Sequence, residues 1–180
     1  MYKKIAAVAE FLPPEPGAPK ANLFRVRGPG DKIYYAYEFP HPAVAASVVL
    51  HDTARKAVLL IRRAIEPFHG HYAFPGGFLA VGEESIEETA ARELLEETGV
   101  SIPSAALRLI DVRSHPDRDP RDHVFDIAFY AETEGVEARA GDETSAYRWV
   151  STAEVGGLRL AFDHELLWQH VRERIFGEVR

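Results

Sequence analysis

The sequence predicts an α+β fold, a mixed β-sheet sandwiched by helices, and three observations predict it. Apolar runs rich in β-branched and aromatic residues recur at 44–50, 56–62, 107–113, 124–131 and 146–150, and read as strands. Two other segments, 85–98 and 162–176, carry helical spacing. The strands precede and surround these helices without strict βαβ alternation, which is the pattern of an α+β sandwich. With 180 residues, 46% apolar and 27% charged, the chain is sized for one domain plus an extension. A chain of that length buries enough surface to fold without a metal or a disulfide.

In chain order, residues 12–20 hold four prolines in nine positions and form an extended connector. The runs 23–27 and 33–39 flank the break Gly28-Pro-Gly-Asp31 and read as a hairpin. Residues 1–39 are therefore a strand-bearing extension, or a dimerisation arm, on a domain covering 40–180. A second hairpin joins 44–50 to 56–62 across 51–55. A loop from 64 to 73 then leads into Phe74-Pro-Gly-Gly77. The clearest helix follows: Ser85 is its N-cap, Glu88 completes a capping box and Gly99 supplies the C-terminal stop. The last helix places Leu166, Leu167, His170, Val171 and Ile175 near one stripe. Trp149 and Trp168 read as core.

Several functional classes are excluded at this level. There are 28 acidic and 21 basic residues, a net charge of −7, and no clustering of bases. Nucleic acid and anionic membrane surfaces are therefore not expected partners. No apolar run approaches the roughly 20 residues of a membrane span, and the first ten residues lack a signal-peptide core. A cytoplasmic protein is expected. The absence of cysteine rules out disulfides, thiolate zinc, Fe–S clusters and a cysteine nucleophile. The histidines show no His-x-x-x-His spacing, and no Ser-His-Asp arrangement can be nominated.

The chemistry concentrates in residues 76–100. On a helical wheel with Arg92 at zero, Glu96 falls near 40°, Glu93 near 100° and Glu97 near 140°. Three carboxylates thus share a face, with Ala90, Ala91, Leu94 and Leu95 expected to bury on the opposite arc. Like charges at this spacing repel, and crowding raises the pKa of at least one. A hard divalent cation, Mg²⁺ or Mn²⁺, removes that conflict. A glycine loop runs directly into this capped helix.

The segment resembles the signature box of the Nudix hydrolases: Gly, five residues, Glu, seven residues, then Arg-Glu-aliphatic-x-Glu-Glu-x-Gly-aliphatic. Arg92-Glu-Leu-Leu-Glu-Glu-Thr-Gly-Val100 matches the second half at every fixed position. The first half departs by one residue. Glu83 has the family spacing from Gly77 but lies one too far from Arg92, whereas Glu84 has the spacing to Arg92. Because Ser85 caps the helix seven residues before Arg92, the extra residue belongs to the loop, and Glu84 is the better match. Loops absorb such insertions at little entropic cost.

The resemblance implies a Nudix-type α/β/α sandwich and metal-dependent hydrolysis of a nucleoside diphosphate linked to another moiety. Carried over by position, Glu93, Glu96 and Glu97 are the metal-binding acids, with the Gly76 carbonyl a further ligand. Arg92 holds the carboxylates through charge-assisted hydrogen bonds, and Glu84 bonds to the helix and Arg92. The acceptor of the water's proton is a box acid, Glu96, or an acid on a later loop, Glu143. An acidic turn before a strand, such as that holding Glu143, is also ordinary surface.

His115-Pro-Asp-Arg-Asp-Pro-Arg-Asp-His123 and Leu160-Ala-Phe-Asp-His164 look similar to segments of ADP-ribose pyrophosphatase-type members. This implies ADP-ribose, a small nucleotide, as substrate, and dimerisation through the N-terminal extension. Arg118 and Arg121 are candidate phosphate or ribose contacts, unless the alternating Asp and Arg simply pair with each other. Phe68, Tyr72 and Phe74 are candidates to stack on adenine or to be core. Arg62 and Arg63 point to opposite faces, so one at most reaches the site; Arg62 and Gly77 join the expected substrate contacts. Two alternatives stand beside this reading. One is a nucleoside-triphosphate pyrophosphohydrolase. The other is a nucleotide sensor on the same fold, which the intact acids disfavour. Sensors of this kind append a winged-helix module, for which the roughly thirty residues after the last strand leave no room.

Overall fold

The computed structural model describes residues 10–12, 23–27, 31, 33–37, 41–141 and 144–177. The chain divides into two compact units, Met1–His41 and Pro42–Arg180. In the first, β1 (Glu10–Leu12), β2 (Leu23–Arg27) and β3 (Ile33–Tyr37) form a three-stranded antiparallel sheet in that order. The expected hairpin is the β2–β3 pair, in register from Leu23↔Tyr37 to Arg27↔Ile33. The proline-rich connector lies outside the described residues.

The second unit is a seven-stranded mixed sheet with a helix on each face. Its strands are β4 (Ala43–Asp52), β5 (Ala57–Arg63), β6 (Tyr72–Ala73), β7 (Gly76–Phe78), β8 (Arg108–Arg113), β9 (Val124–Thr133) and β10 (Thr144–Ser151). The order is β10-β5-β4-β9-β8, with β6 added to β5 and β7 to β4. Only the central β4–β9 pair is parallel. Side-chain alternation along β4 divides the core into two layers. Val48 and Leu50 join Ala90 and Leu94 under α1 (Ile86–Thr98), whereas Val49 joins Leu167, Trp168 and Val171 under α2 (His164–Arg174). Both faces being covered explains why β4 reads as a continuous apolar run.

One edge of β4 is taken by β9 along its whole length. The other is shared: β5 pairs at His51 and Asp52, and β7 at Ala45 to Ser47. Between these two partners the sheet splays, and residues of β4, β5, β7 and α1 line one side of the opening, with the β8–β9 loop, β9 and the start of α2 lining the rest. The fold thus places its cleft where one strand changes neighbour.

Two packing expectations need correction. Leu95 is 45% exposed and Leu166 54%. On α1 the buried stripe is Ala90, Leu94 and Thr98, with Thr89 beside it. The threonines bury because their hydroxyls bond locally, Thr98 Oγ1 to the Leu94 carbonyl at 2.6 Å and Thr89 Oγ1 to the Ser85 carbonyl at 3.0 Å. The buried arc is therefore rotated toward Glu93 and Glu97, which flank it rather than oppose it. On α2 the buried set is His164, Leu167, Trp168 and Val171. The loop before β7 also holds the short strand β6, paired with β5 through Ile61↔Ala73.

Candidate active site

The site begins with how α1 is anchored. Ser85 and Glu88 form a reciprocal capping box, Ser85 N–H to the Glu88 carboxylate at 2.7 Å and Glu88 N–H to Ser85 Oγ at 3.2 Å. Gly99 ends the helix at φ 69°, a left-handed cap open to glycine without steric cost. The extra residue before the cap is absorbed in the turn after Ala80, where Glu83 N–H donates to the Ala80 carbonyl at 3.0 Å and Gly82 takes φ 87°. Glu83 is exposed. Glu84 instead points back onto the helix.

Glu84 receives Arg92 Nε at 3.0 Å, Arg92 Nη2 at 2.7 Å, Ala80 N–H at 3.1 Å and Thr89 Oγ1 at 2.9 Å. The Arg92 hydrogen bonds lead in holding its carboxyl down to about 2. Arg92 Nη1 also donates to Glu93 at 2.7 Å and Glu96 at 3.0 Å, and Nη2 to the Phe78 carbonyl at 3.2 Å. One guanidinium therefore ties together three carboxylates and the β7 strand.

The register of β7 explains Gly76 and Gly77. Val48 N–H donates to the Pro75 carbonyl, so Gly76 and Ser47 form a non-hydrogen-bonded pair and the Gly76 backbone faces away from β4. There its N–H donates to Glu97 at 2.9 Å. A Cβ on Gly76 would overlap the Ala46 carbonyl, and one on Gly77 would overlap the Glu93 carboxyl. Burial raises the Glu93 carboxyl above its ordinary range despite Arg92. A half-buried acid in that state gains from a nearby positive charge. The donor chemistry is all oxygen, which suits a hard divalent cation. Arg92 and the Gly76 N–H hold Glu96 and Glu97 on separate partners here. Among the described residues no three acidic or histidine side chains are drawn together around one point.

The cleft beside these acids has a volume of about 390 Å³. Of its far wall the sequence reading named Arg118 and Arg121, but not Arg113, Asp126 or the pairing with Asp163. Arg113 ion-pairs with Asp126, which also accepts Ser47 Oγ at 2.8 and 3.0 Å. Arg118 is buried and grips Asp163 through Nε at 3.1 Å and Nη2 at 2.9 Å. Arg121 pairs with Asp119 at 2.9 and 2.7 Å, and its guanidinium lies over Phe78 at 4.9 Å and Phe162 at 5.2 Å. Arg118 and Arg121 thus both line the cleft and are both paired with acids.

Other expected contacts are placed differently. Arg63 lines the cleft, whereas Arg62 is exposed and donates to the Gly70 carbonyl at 3.1 Å. Strand alternation put the two on opposite faces and the sheet chose the other one. Phe74 is only 2% exposed and packs on Trp168 and His164 in the core, so its ring is cleft wall rather than a free stacking face. Trp168 is buried and Trp149 half-buried beneath Arg55. Glu143 lies outside the described residues; its neighbour Gly141 donates N–H to the Glu97 carbonyl at 2.9 Å.

Comparison with known proteins places this geometry. The NUDIX domain family model matches residues 41–170. An ADP-ribose pyrophosphatase of Methanocaldococcus jannaschii is 42% identical over 125 residues, 69% of this chain and 70% of that protein. The NUDIX domain of Shewanella oneidensis NrtR, solved in complex with ADP ribose, superposes with a TM-score of 0.70 at 29% identity, covering 76% of this chain and 90% of that one. A MutT/nudix family protein from Enterococcus faecalis gives a TM-score of 0.71 at 28% identity, covering 79% of this chain and 65% of that one. With the box helix, the splayed sheet and these similarities in agreement, the chain belongs to the Nudix family.

Proposed function

We propose that the chain is a hydrolase that cleaves the pyrophosphate bond of a nucleoside diphosphate derivative, ADP-ribose, to AMP and ribose 5-phosphate. The observation that carries this reading is the carboxylate-rich face of α1 opening, beside Gly76 and Gly77, into the cleft. The relative named as an ADP-ribose pyrophosphatase and the neighbour solved with ADP ribose support the choice of nucleotide.

Glu93, Glu96 and Glu97, with the Gly76 carbonyl, would hold a divalent cation, Mg²⁺ or Mn²⁺, whose chemistry there is to neutralise diphosphate charge and acidify a water. Arg92 keeps Glu93 and Glu96 oriented, and Glu84 keeps Arg92 in place. The exposed carboxylate of Glu96 or that of Glu143 takes the water's proton. Arg63, Arg118 and Arg121 border the space for the diphosphate and sugars.

Product analysis tests the reading. Release of AMP and ribose 5-phosphate from ADP-ribose is expected. Turnover of nucleoside triphosphates to monophosphate and pyrophosphate, with ADP-ribose untouched, would replace it by the triphosphate alternative. A repressor of Acinetobacter baylyi described as ADPR responsive is 27% identical over 82% of this chain and 60% of that protein. It favours a sensor reading, for which ADP-ribose would bind and remain intact.

A further inference from the structure

The side of the cleft opposite the carboxylates is closed by a turn that none of the steps above uses. Phe162 there adopts φ 53°. This left-handed conformation costs a residue with a Cβ on the order of 1 kcal/mol or more, and such strain persists only where surroundings over-determine it. They do so here. Arg118 holds the Asp163 carboxylate, Arg113 Nη1 donates to the Asp163 carbonyl at 3.0 Å, and Ala161 N–H donates to the Tyr72 carbonyl at 2.8 Å. The residue this turn delivers to the cleft wall is His164, 5% exposed.

The His164 tautomer is set by a backbone donor. Phe74 N–H donates to its Nδ1 at 3.1 Å, so Nδ1 carries a lone pair and the ring proton sits on Nε2. Among the described residues, no hydrogen-bond partner is found for Nε2. The charged groups around the ring are Arg63 from β5, Arg113 from β8 and Arg118 from the loop between β8 and β9, with Asp163 from its own turn. Asp163 is committed to Arg113 and Arg118, and Asp126 to Arg113 and Ser47. Burial first, then the three arginines, keep the imidazole neutral, well below its ordinary range.

We propose that His164 is a substrate-binding residue whose Nε2–H donates to a phosphate oxygen of the diphosphate. This rests on reading the cleft as a nucleoside-diphosphate site. A phosphate oxygen fits better than a sugar hydroxyl because Arg63, Arg113 and Arg118 bring positive charge to bear on the ring. Phe74, which orients the ring, also lies two residues before Gly76, whose N–H meets Glu97. A neutral donor adds a contact to the anion while leaving the ion pairs of Arg113 and Arg118 intact.

Two substitutions separate binding from support of the turn. His164→Asn retains an acceptor for Phe74 N–H but is too short to place a donor at the Nε2 position, whereas His164→Gln reaches it. His164→Asn should raise the KM of ADP-ribose and the inhibition constant of AMP together by about tenfold, with kcat little changed. His164→Gln should recover most of that loss. Nitrogen NMR of the wild-type protein should show His164 with its proton on Nε2, and the Nε2 signal should move as AMP is added. A proton on Nδ1, an Nε2 signal indifferent to AMP, or AMP inhibition unaltered in folded His164→Asn would overturn the assignment. The tautomer and AMP titrations need no turnover, so a failure to hydrolyse ADP-ribose would strike the substrate reading alone.

Discussion

On the α1 side of the cleft, Glu84, Glu93 and Glu96 share a single guanidinium, Arg92, while Glu97 accepts from the Gly76 N–H, and all five acidic and basic side chains come from one short stretch of chain. On the far side, buried Arg113 and Arg118 face buried Asp126 and partly buried Asp163 in balanced pairs, and the four come from β8, β9, a loop and the turn before α2. The first wall carries surplus negative charge and gains by taking up a cation. The second is already neutralised and serves to fix shape. Charge therefore reports function on one wall and architecture on the other.

The largest effect that would break this contrast lies in the neutral wall. Asp126→Ala takes from buried Arg113 one of its two acids, leaving Asp163 shared with Arg118, and should lower stability by about 3–5 kcal/mol. For a chain of this size that is a fall in Tm of roughly 6–20 °C, measurable by calorimetry. A variant that melts like the wild type would mean the far wall is not a structural ion network. On the acidic wall the sign of the trade is reversed. Glu97→Gln keeps an oxygen for the Gly76 N–H, so the fold should survive while kcat falls at least about 100-fold in a product-release assay. Near-normal turnover would remove Glu97 from the cation site. Gly77→Ala sharpens the same point, because its Cβ would displace the Glu93 carboxyl, a flexible side-chain end. About tenfold lower activity with little change in Tm is expected.

Smaller effects test the helix itself. Ser85→Ala removes the N-cap and should cost about 1 kcal/mol in a denaturant titration, leaving kcat nearly unaltered. The Glu84–Arg92 contact sets an acid limit. Glu84 is held down to about 2 from 4.5, so its contribution is complete above 4.5 and is lost as the pH falls from 4.5 toward 2. Glu84→Gln should flatten the pH dependence of stability in that window only.

The difference between the walls also accounts for what could be read in advance. The α1 wall was legible because a helix converts spacing into geometry: Arg92, Glu93, Glu96 and Glu97 had to share a face, and Ser85 and Glu88 had to cap it. Even so, the buried arc was misplaced at Leu95, since Thr89 and Thr98 satisfy their hydroxyls locally and take its place. The long strands of the mixed sheet were recovered from their apolar runs, but the short β6 and β7 were not, and the splay of β5 and β7 along one edge of β4 is a pairing choice that no single strand encodes. The far wall depends on that choice. Ser47 and Asp126 meet across the parallel β4–β9 pair, and Arg118 meets Asp163 across a long loop. The Asp-Arg alternation in residues 117–122 flagged the loop, and Arg121–Asp119 pairs within it, but nothing local pointed Arg118 at Asp163.

The central claim is that the unbalanced wall, and not the balanced one, takes up a divalent cation. A titration of Mn²⁺ into the protein with AMP present, followed by loss of the free-ion magnetic resonance signal, addresses it most directly. The account predicts saturable uptake by the wild type and by folded Asp126→Asn, and its loss in the Glu93→Gln, Glu97→Gln double variant. Equal uptake by that double variant, or none by the wild type, would contradict it.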